Sequence, residues 1–216
     1  VPLRDFLDSP TIASLVNKFG RRRKRRQALP PIASMPRVNP IPLSPAQRQL
    51  WEMDALFPGT LFLNMPYVYQ FEGLLDLTVL HRSLCEIVLR HEALRLVFDY
   101  NGGRPRQNVG PIRDVELPVV DLRPLDRVEK TKAFERIATD EASRPFNLEP
   151  GPAFRFKLVQ LADAEHKLLV TLHHIIADGW SMGIFWRELS ALYVAFSLSP
   201  ELVTGAQGAG LPELPI

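Results

Sequence analysis

Strand and helix signals in this chain follow one another without the regular strand–helix–strand alternation of a purely parallel sheet. Two strand-like runs, Phe154 to Leu161 and Lys167 to Leu172, lie close together around a polar turn. A helix rich in large apolar side chains, Ser181 to Phe196, follows at once. Upstream, residues 66–72 alternate and carry aromatics, as a strand should. This irregular mixture predicts an α+β fold, a mixed β-sheet packed with helices.

The remaining elements carry their own boundary signals. Ser44 suits an N-cap and Pro45 the first helical position, so Ala46 to Leu56 is expected as a helix ending before Phe57-Pro58-Gly59. Asp76 caps the next helix, which places Leu77, Leu80, Leu84, Ile87 and Val88 on one face. Residues 94–100 and 105–109 flank Asn101-Gly102-Gly103, a hairpin signal. Val115 to Val120 reads as a further strand. Asp126 to Ser143 reads as a helix with Phe134, Ile137 and Ala138 inward.

The ends differ in character. Residues 1–19 read as one short helix, with Asp8 or Ser9 as cap, Pro10 in the first turn, and Ile12, Leu15, Val16 and Phe19 at helical spacing. Residues 20–42 combine Gly20, a basic run and five prolines, the composition of an extended linker, and the folded unit is expected from about Leu43. From about Ser197 the pattern dissolves into a loop.

Charge is concentrated in one place. The 216 residues carry a formal net charge of +2, but Arg21, Arg22, Arg23, Lys24, Arg25 and Arg26 supply six positive charges in a row. Without them 20 basic residues face 24 acidic ones, so no general nucleic-acid surface is implied. The run itself, lacking interleaved aromatics, reads as a solvated linker. Apolar residues make up 46% of the chain, enough for a core. No stretch approaches the ~18 apolar residues of a spanning helix. Cys85 is the sole cysteine, which excludes an intrachain disulfide and a cysteine-based zinc site. The chain starts at Val1 without a signal-peptide pattern, and it is expected to be a segment of a longer cytoplasmic polypeptide.

The sharpest constellation is His173-His174-Ile175-Ile176-Ala177-Asp178-Gly179-Trp180-Ser181, set between a strand and a helix. Adjacent residues of a strand face opposite ways, so the two histidines cannot share one task. Asp178 can be turned back toward them, and Gly179 permits a positive φ or a close substrate approach. Three readings stand. His and Asp could bind a metal, with few and diverging ligands. Asp178 could orient a histidine that handles a proton in acyl transfer. Both histidines could be structural. Ser181 lacks a nucleophile elbow and suits a helix N-cap. Cys85 suits packing. A second cluster, Arg90-His91-Glu92-Ala93-Leu94-Arg95, ends a helix, and its arginines could pair with the Asp178 carboxylate. No Walker or dinucleotide glycine loop is present.

These residues resemble the condensation domain of non-ribosomal peptide synthetases. His173 to Gly179 looks like the family's His-His-x-x-x-Asp-Gly core motif. Leu43 to Trp51 is similar to its first motif, and Arg90 to Phe98 to its Arg-His-Glu-x-Leu-Arg motif, with Leu96 where Thr is usual. Arg144-Pro145-Phe146-Asn147-Leu148 and Gly151-Pro152 resemble the stretch before the core strands. Residues 38–216 then correspond to the N-terminal lobe of that domain, with the C-terminal lobe absent. Residues 1–19 resemble the last helix of a peptidyl carrier domain, and 20–37 the linker between them. The implied fold is chloramphenicol-acetyltransferase-like, with the active site in a tunnel between lobes. Epimerisation domains, CoA-dependent acyltransferases and a non-catalytic carrier-docking lobe are the alternatives.

The resemblance implies amide formation. The acceptor's α-amino group attacks the donor's thioester carbonyl, and both arrive on phosphopantetheine arms of upstream and downstream carrier domains; an adenylation domain is an expected neighbour. An α-amino group with a pKa of roughly 8 must lose a proton near neutrality, which an imidazole is suited to accept. The resemblance gives that role to His174. It leaves His173 as structural support, Asp178 as a loop residue held by Arg95 or else Arg90, Gly179 as a tunnel-lining residue, and Trp180 and Ser181 as support. It implies no bound cofactor, metal, nucleic acid or membrane. The isolated segment is expected to be inactive.

Overall fold

A computed structural model describes residues 11–14, 16, 40–101, 104–111 and 114–199. The chain divides into two units, residues 1–37 and 38–216. In the first, Ile12 to Ser14 and Val16 are helical. Thr11 caps this turn, its Oγ1 accepting from the Ser14 N–H at 3.2 Å. The caps expected at Asp8 or Ser9, Pro10, Leu15, Phe19, the basic run and the loop beyond Ser199 lie outside the described residues.

The second unit opens with a short strand β1 (Ile41–Pro42) and helix α1 (Pro45–Leu56). Ser44 and Gln47 close a capping box: Ser44 Oγ accepts from the Gln47 N–H at 3.2 Å, and Gln47 Oε1 accepts from the Ser44 N–H at 3.0 Å. No α1 residue is fully buried, so packing alone does not hold this helix. Gln47 bonds to Gln107 at 3.0 Å, and Trp51 stacks on Tyr100 with centroids 5.3 Å apart.

Strand β2 (Asn64–Glu72) and helix α2 (Leu77–Arg90) follow. Asp76 caps α2 as expected, accepting from the Thr78 and Val79 N–H groups. A 3-10 turn at Glu92–Arg95 leads into β3 (Leu96–Asn101) and β4 (Arg104–Val109), the anticipated hairpin. The strand expected over Val115 to Val120 is reduced to β5 (Val119–Asp121). Pro118 has no N–H to offer a ladder, and pairing begins with its carbonyl, which accepts from the Leu158 N–H at 2.9 Å. Helix α3 (Arg127–Ser143), strands β6 (Phe154–Ala162) and β7 (Glu165–His173) and helix α4 (Gly179–Leu198) complete the unit. The last helix runs past Ser197, where a loop was expected.

The strands form two sheets, β1-β4-β3 and β2-β7-β6-β5. In the larger, β7 pairs antiparallel with β2 and β6, and β5 joins β6 in parallel. Strand β7 is therefore central and covered on both faces, which explains its apolar Leu-Leu-Val-Thr-Leu run. On one face Leu158, Leu168, Val170 and Leu172 pack with Leu80, Leu84 and Ile87 of α2 and with Phe185, Leu189 and Leu192 of α4. On the other, Val159, Leu161 and Leu169 pack against Phe134, Ile137 and Ala138 of α3. Each such fully buried aliphatic side chain stabilises the fold by about 2 kcal/mol. This two-sided clamp fixes where β7 ends, and the candidate site lies at that end.

Candidate active site

Strand β7 delivers the two histidines to opposite sides, as the alternation rule requires. The His173 N–H donates to the Ala153 carbonyl at 2.8 Å and the His174 N–H to the Leu63 carbonyl at 2.8 Å. His173 is 2% exposed, whereas His174 is open to solvent. The chain then turns: the Ile176 N–H donates to the His173 carbonyl at 3.1 Å. Ile175 and Ile176 are both buried and anchor this turn in the core.

The hydrogen bonds dictate opposite tautomers. The Ile175 N–H donates to His173 Nδ1 at 3.1 Å, so that nitrogen must present its lone pair and the ring hydrogen sits on Nε2. His174 Nδ1 lies 2.8 Å from the Ala177 carbonyl, which can only accept. Nδ1 of His174 therefore carries the hydrogen, and its Nε2 lone pair is left free.

Burial pushes the His173 imidazole down to about 4, with the neighbouring His174 adding to the effect. Its Nε2 lies 3.8 Å from Asp54 Oδ1 of α1. A neutral ring makes this a polar contact and not an ion pair. Burial raises the Asp54 carboxyl above the ordinary aspartate range. The edge of His173 meets the Phe146 ring at 6.0 Å. Phe146 is held in turn by Arg155, whose guanidinium lies 3.9 Å above its ring and donates to the Glu141 and Arg144 carbonyls. Asn64, opposite His173 in the ladder, ties the same segment down by donating to the Ala142 and Arg144 carbonyls.

Asp178 does not meet an arginine. It is the exposed N-cap of α4, accepting from the Ser181 N–H at 2.8 Å and the Ser181 hydroxyl at 2.7 Å. The Ser181 hydroxyl and then the Ser181 N–H hold its carboxyl below the usual range. Arg95 instead donates to the Gly110 and Leu89 carbonyls, each at 3.3 Å, and Arg90 pairs with Glu86 at 2.8 Å. The last carbonyls of a helix lack intrahelical partners, and Leu89 in the final turn of α2 draws Arg95 to it. Ser181, expected as a possible N-cap, occupies the third helical position, because Asp178 offers the stronger acceptor. Gly179 takes the first helical position without a positive φ, and a Cβ there would meet nothing within 4 Å. Trp180 projects into solvent at 82% exposure.

Asp54, Asn64 and Arg155 were not singled out in the sequence, and Phe146 entered only within the Arg144 to Leu148 stretch. Asp54 carried a signal: it sits three and four residues beyond Trp51 and Leu50, which pack on the core, so an acid lies on the inward row of α1. A cavity of about 500 Å³ borders Phe146 and Arg155, but neither histidine lines it. Among the described residues no three His, Cys, Asp or Glu side chains are grouped to hold a metal. Nor is any helix among them long and apolar enough to cross a membrane.

Comparison with known proteins accounts for this arrangement. The model of the condensation domain family matches residues 38–206. Chondramide synthase cmdD of Chondromyces crocatus is 40% identical over 169 residues, 78% of this chain and 4% of that protein. Phosphinothricin tripeptide synthetase PhsB of Streptomyces viridochromogenes is 36% identical over 222 residues, 100% of this chain and 18% of that protein. The chain thus spans a small fraction of these relatives' length. Among solved structures, the starter condensation domain of rhizomide synthetase RzmA superposes with a TM-score of 0.69 at 25% identity, covering 74% of this chain and 39% of that one. The X-domain from teicoplanin biosynthesis gives 0.69 at 25% identity, covering 84% and 37%. The α+β, chloramphenicol-acetyltransferase-like architecture expected from the motifs is the fold these structures share. With its core motif at the end of β7 and the family match over residues 38–206, the chain belongs to the condensation-domain family of non-ribosomal peptide synthetases.

Proposed function

We propose that this domain forms an amide bond between a donor acyl or peptidyl thioester and the α-amino group of an acceptor aminoacyl thioester, both carried on phosphopantetheine by partner carrier domains. The observation that carries the reading is the free Nε2 of His174, held outward by the Nδ1–H bond to Ala177 at 2.8 Å. The amine nitrogen attacks the thioester carbon, the new C–N bond forms, and the C–S bond breaks. The amine's surplus proton passes to His174 Nε2, and the departing thiolate can recover it. His173 and the buried isoleucines hold the turn, and Gly179 leaves open space beside it.

On the same reading, residues 1–19 are the last helix of an upstream carrier domain and 20–37 the linker. The helical residues 12–14 and 16 and the unit boundary after residue 37 support this division. An adenylation domain is the proposed neighbour in the parent chain.

Single-turnover amide formation by the intact parent, with loaded donor and acceptor carriers, tests the assignment. His174→Ala is expected to lower the rate by about 10²- to 10⁴-fold, the usual worth of a positioned proton acceptor. Equal rates would remove His174 from the chemistry. No product from wild type, with loading confirmed, would favour a docking role.

A further inference from the structure

One polar atom beside the site has no assigned task. His173 Nε2 is buried and lacks a hydrogen-bond partner among the described residues. Yet the Ile175 N–H obliges that nitrogen to carry the ring hydrogen. A second tautomer would set the Nδ1 hydrogen against the Ile175 N–H, two donors head to head. That would break the first bond of the turn that presents His174. The Ile175 N–H already favours the Nε2 hydrogen, and an acceptor opposite that hydrogen adds to the preference and sets its direction. The carboxylate of Asp54, from a different element, stands there with Oδ1 at 3.8 Å.

We propose that Asp54 is a positioning residue: it fixes the tautomer of His173 and, through the Ile175 N–H, the turn that aims His174. A carboxylate at this distance in a water-poor setting still orients an N–H dipole strongly. Helix α1 thereby joins the site. It has no fully buried residue, and its capping box, the Gln47–Gln107 bond and the Trp51–Tyr100 stack set its place. The effect on rate rests on the function proposed above; the tautomer does not.

The test compares wild type, Asp54→Leu and Asp54→Asn. Side-chain ¹⁵N spectra of histidine-labelled 216-residue chain report the tautomers directly. Wild type is expected to show His173 protonated on Nε2 and His174 on Nδ1. Asp54→Leu is expected to lose the slowly exchanging Nε2 hydrogen of His173 and to mix its tautomers. Asp54→Asn keeps an acceptor oxygen and is expected to retain the wild-type pattern. In the parent synthetase, Asp54→Leu should lower single-turnover rate at least about tenfold with acceptor KM unchanged, because misaimed groups cost rate and not binding. Asp54→Asn should restore most of it. A His173 spectrum unaltered in Asp54→Leu overturns the proposal, and so does an altered spectrum with an unaltered rate. A wild-type parent that forms no amide sinks the functional reading alone, and the spectra then decide the tautomer assignment.

Discussion

Burial on the far side of the sheet keeps His173 neutral, and this has a consequence for acid stability. Its imidazole is lowered to about 4, against an ordinary value of about 6.5. Above the ordinary value neither folded nor unfolded chain binds the proton. As pH falls through the interval between 6.5 and 4, the unfolded chain takes up a proton that the folded chain refuses, so stability declines. Below about 4 both states bind it and the decline from this group stops. The loss between pH 7 and pH 4.5 amounts to roughly 2 to 3 kcal/mol. An NMR titration of the His173 ring should show it neutral down to about pH 4, while urea unfolding should show the accompanying loss. A ring that titrates near 6.5 would contradict the burial. This division of labour between the histidines was legible in the sequence, since strand alternation alone separates His173 from His174. The tautomers were not, because the Ile175 N–H and the Ala177 carbonyl become partners only once the turn has closed.

Helix α4 shows how a correct residue can be given the wrong neighbour. Asp178 was legible as a residue of loop architecture, but its expected partner was an arginine. The helix supplied nearer donors, its own unpaired N–H groups and the Ser181 hydroxyl, and an exposed carboxylate gains nothing from waiting for a distant cation. The two pictures predict different magnitudes. Asp178→Ala removes an N-cap and should lower unfolding free energy by about 1 kcal/mol. Asp178→Ser, which retains a capping oxygen, should lose only a few tenths. Loss of one partner of a buried ion pair would instead cost roughly 3 to 5 kcal/mol. Denaturant melts of the three proteins distinguish these cases, and a loss of the larger size would restore an arginine partner. Elsewhere the caps at Ser44 and Asp76 were readable, because capping is local chemistry; Asp126, read as the first residue of its helix, is instead the cap. The strand over 115–120 is shorter than its pattern suggests for a local reason too: apolar alternation favours a strand, but Pro118 delays the ladder.

The order β2-β7-β6-β5, with the last long strand inserted at the centre, joins residues about a hundred positions apart. Periodicity carries no information about such pairing, so the separation into two sheets could not be read from the chain. The motif residues His173 to Gly179 did lie together at the end of one strand, as their adjacency in the chain required. That end is open here: His174, Gly179 and Trp180 are exposed, as are Phe57 and Phe62 in the connection between α1 and β2. A thioester presented to such a surface meets water as readily as it meets an amine. Acyl transfer to an amine requires that both reactants be held together and water be kept out. The solved condensation domain that superposes on this chain is more than twice as long as the matched part, and the additional portion is where we place the missing walls. Residues 1–216 alone, given loaded donor and acceptor carriers, are therefore expected to form amide no faster than the carriers do without protein. Restoring the remainder of the parent domain should raise the rate, and His174→Ala in that longer protein should lower it by about 10²- to 10⁴-fold while leaving the contribution of the added walls. The measurement is product formed per loaded carrier over a fixed time, with hydrolysed donor counted separately. Turnover by the 216-residue chain within a few-fold of the parent would show that this lobe gathers both substrates unaided. Hydrolysis without amide would show that it admits a donor but cannot exclude water.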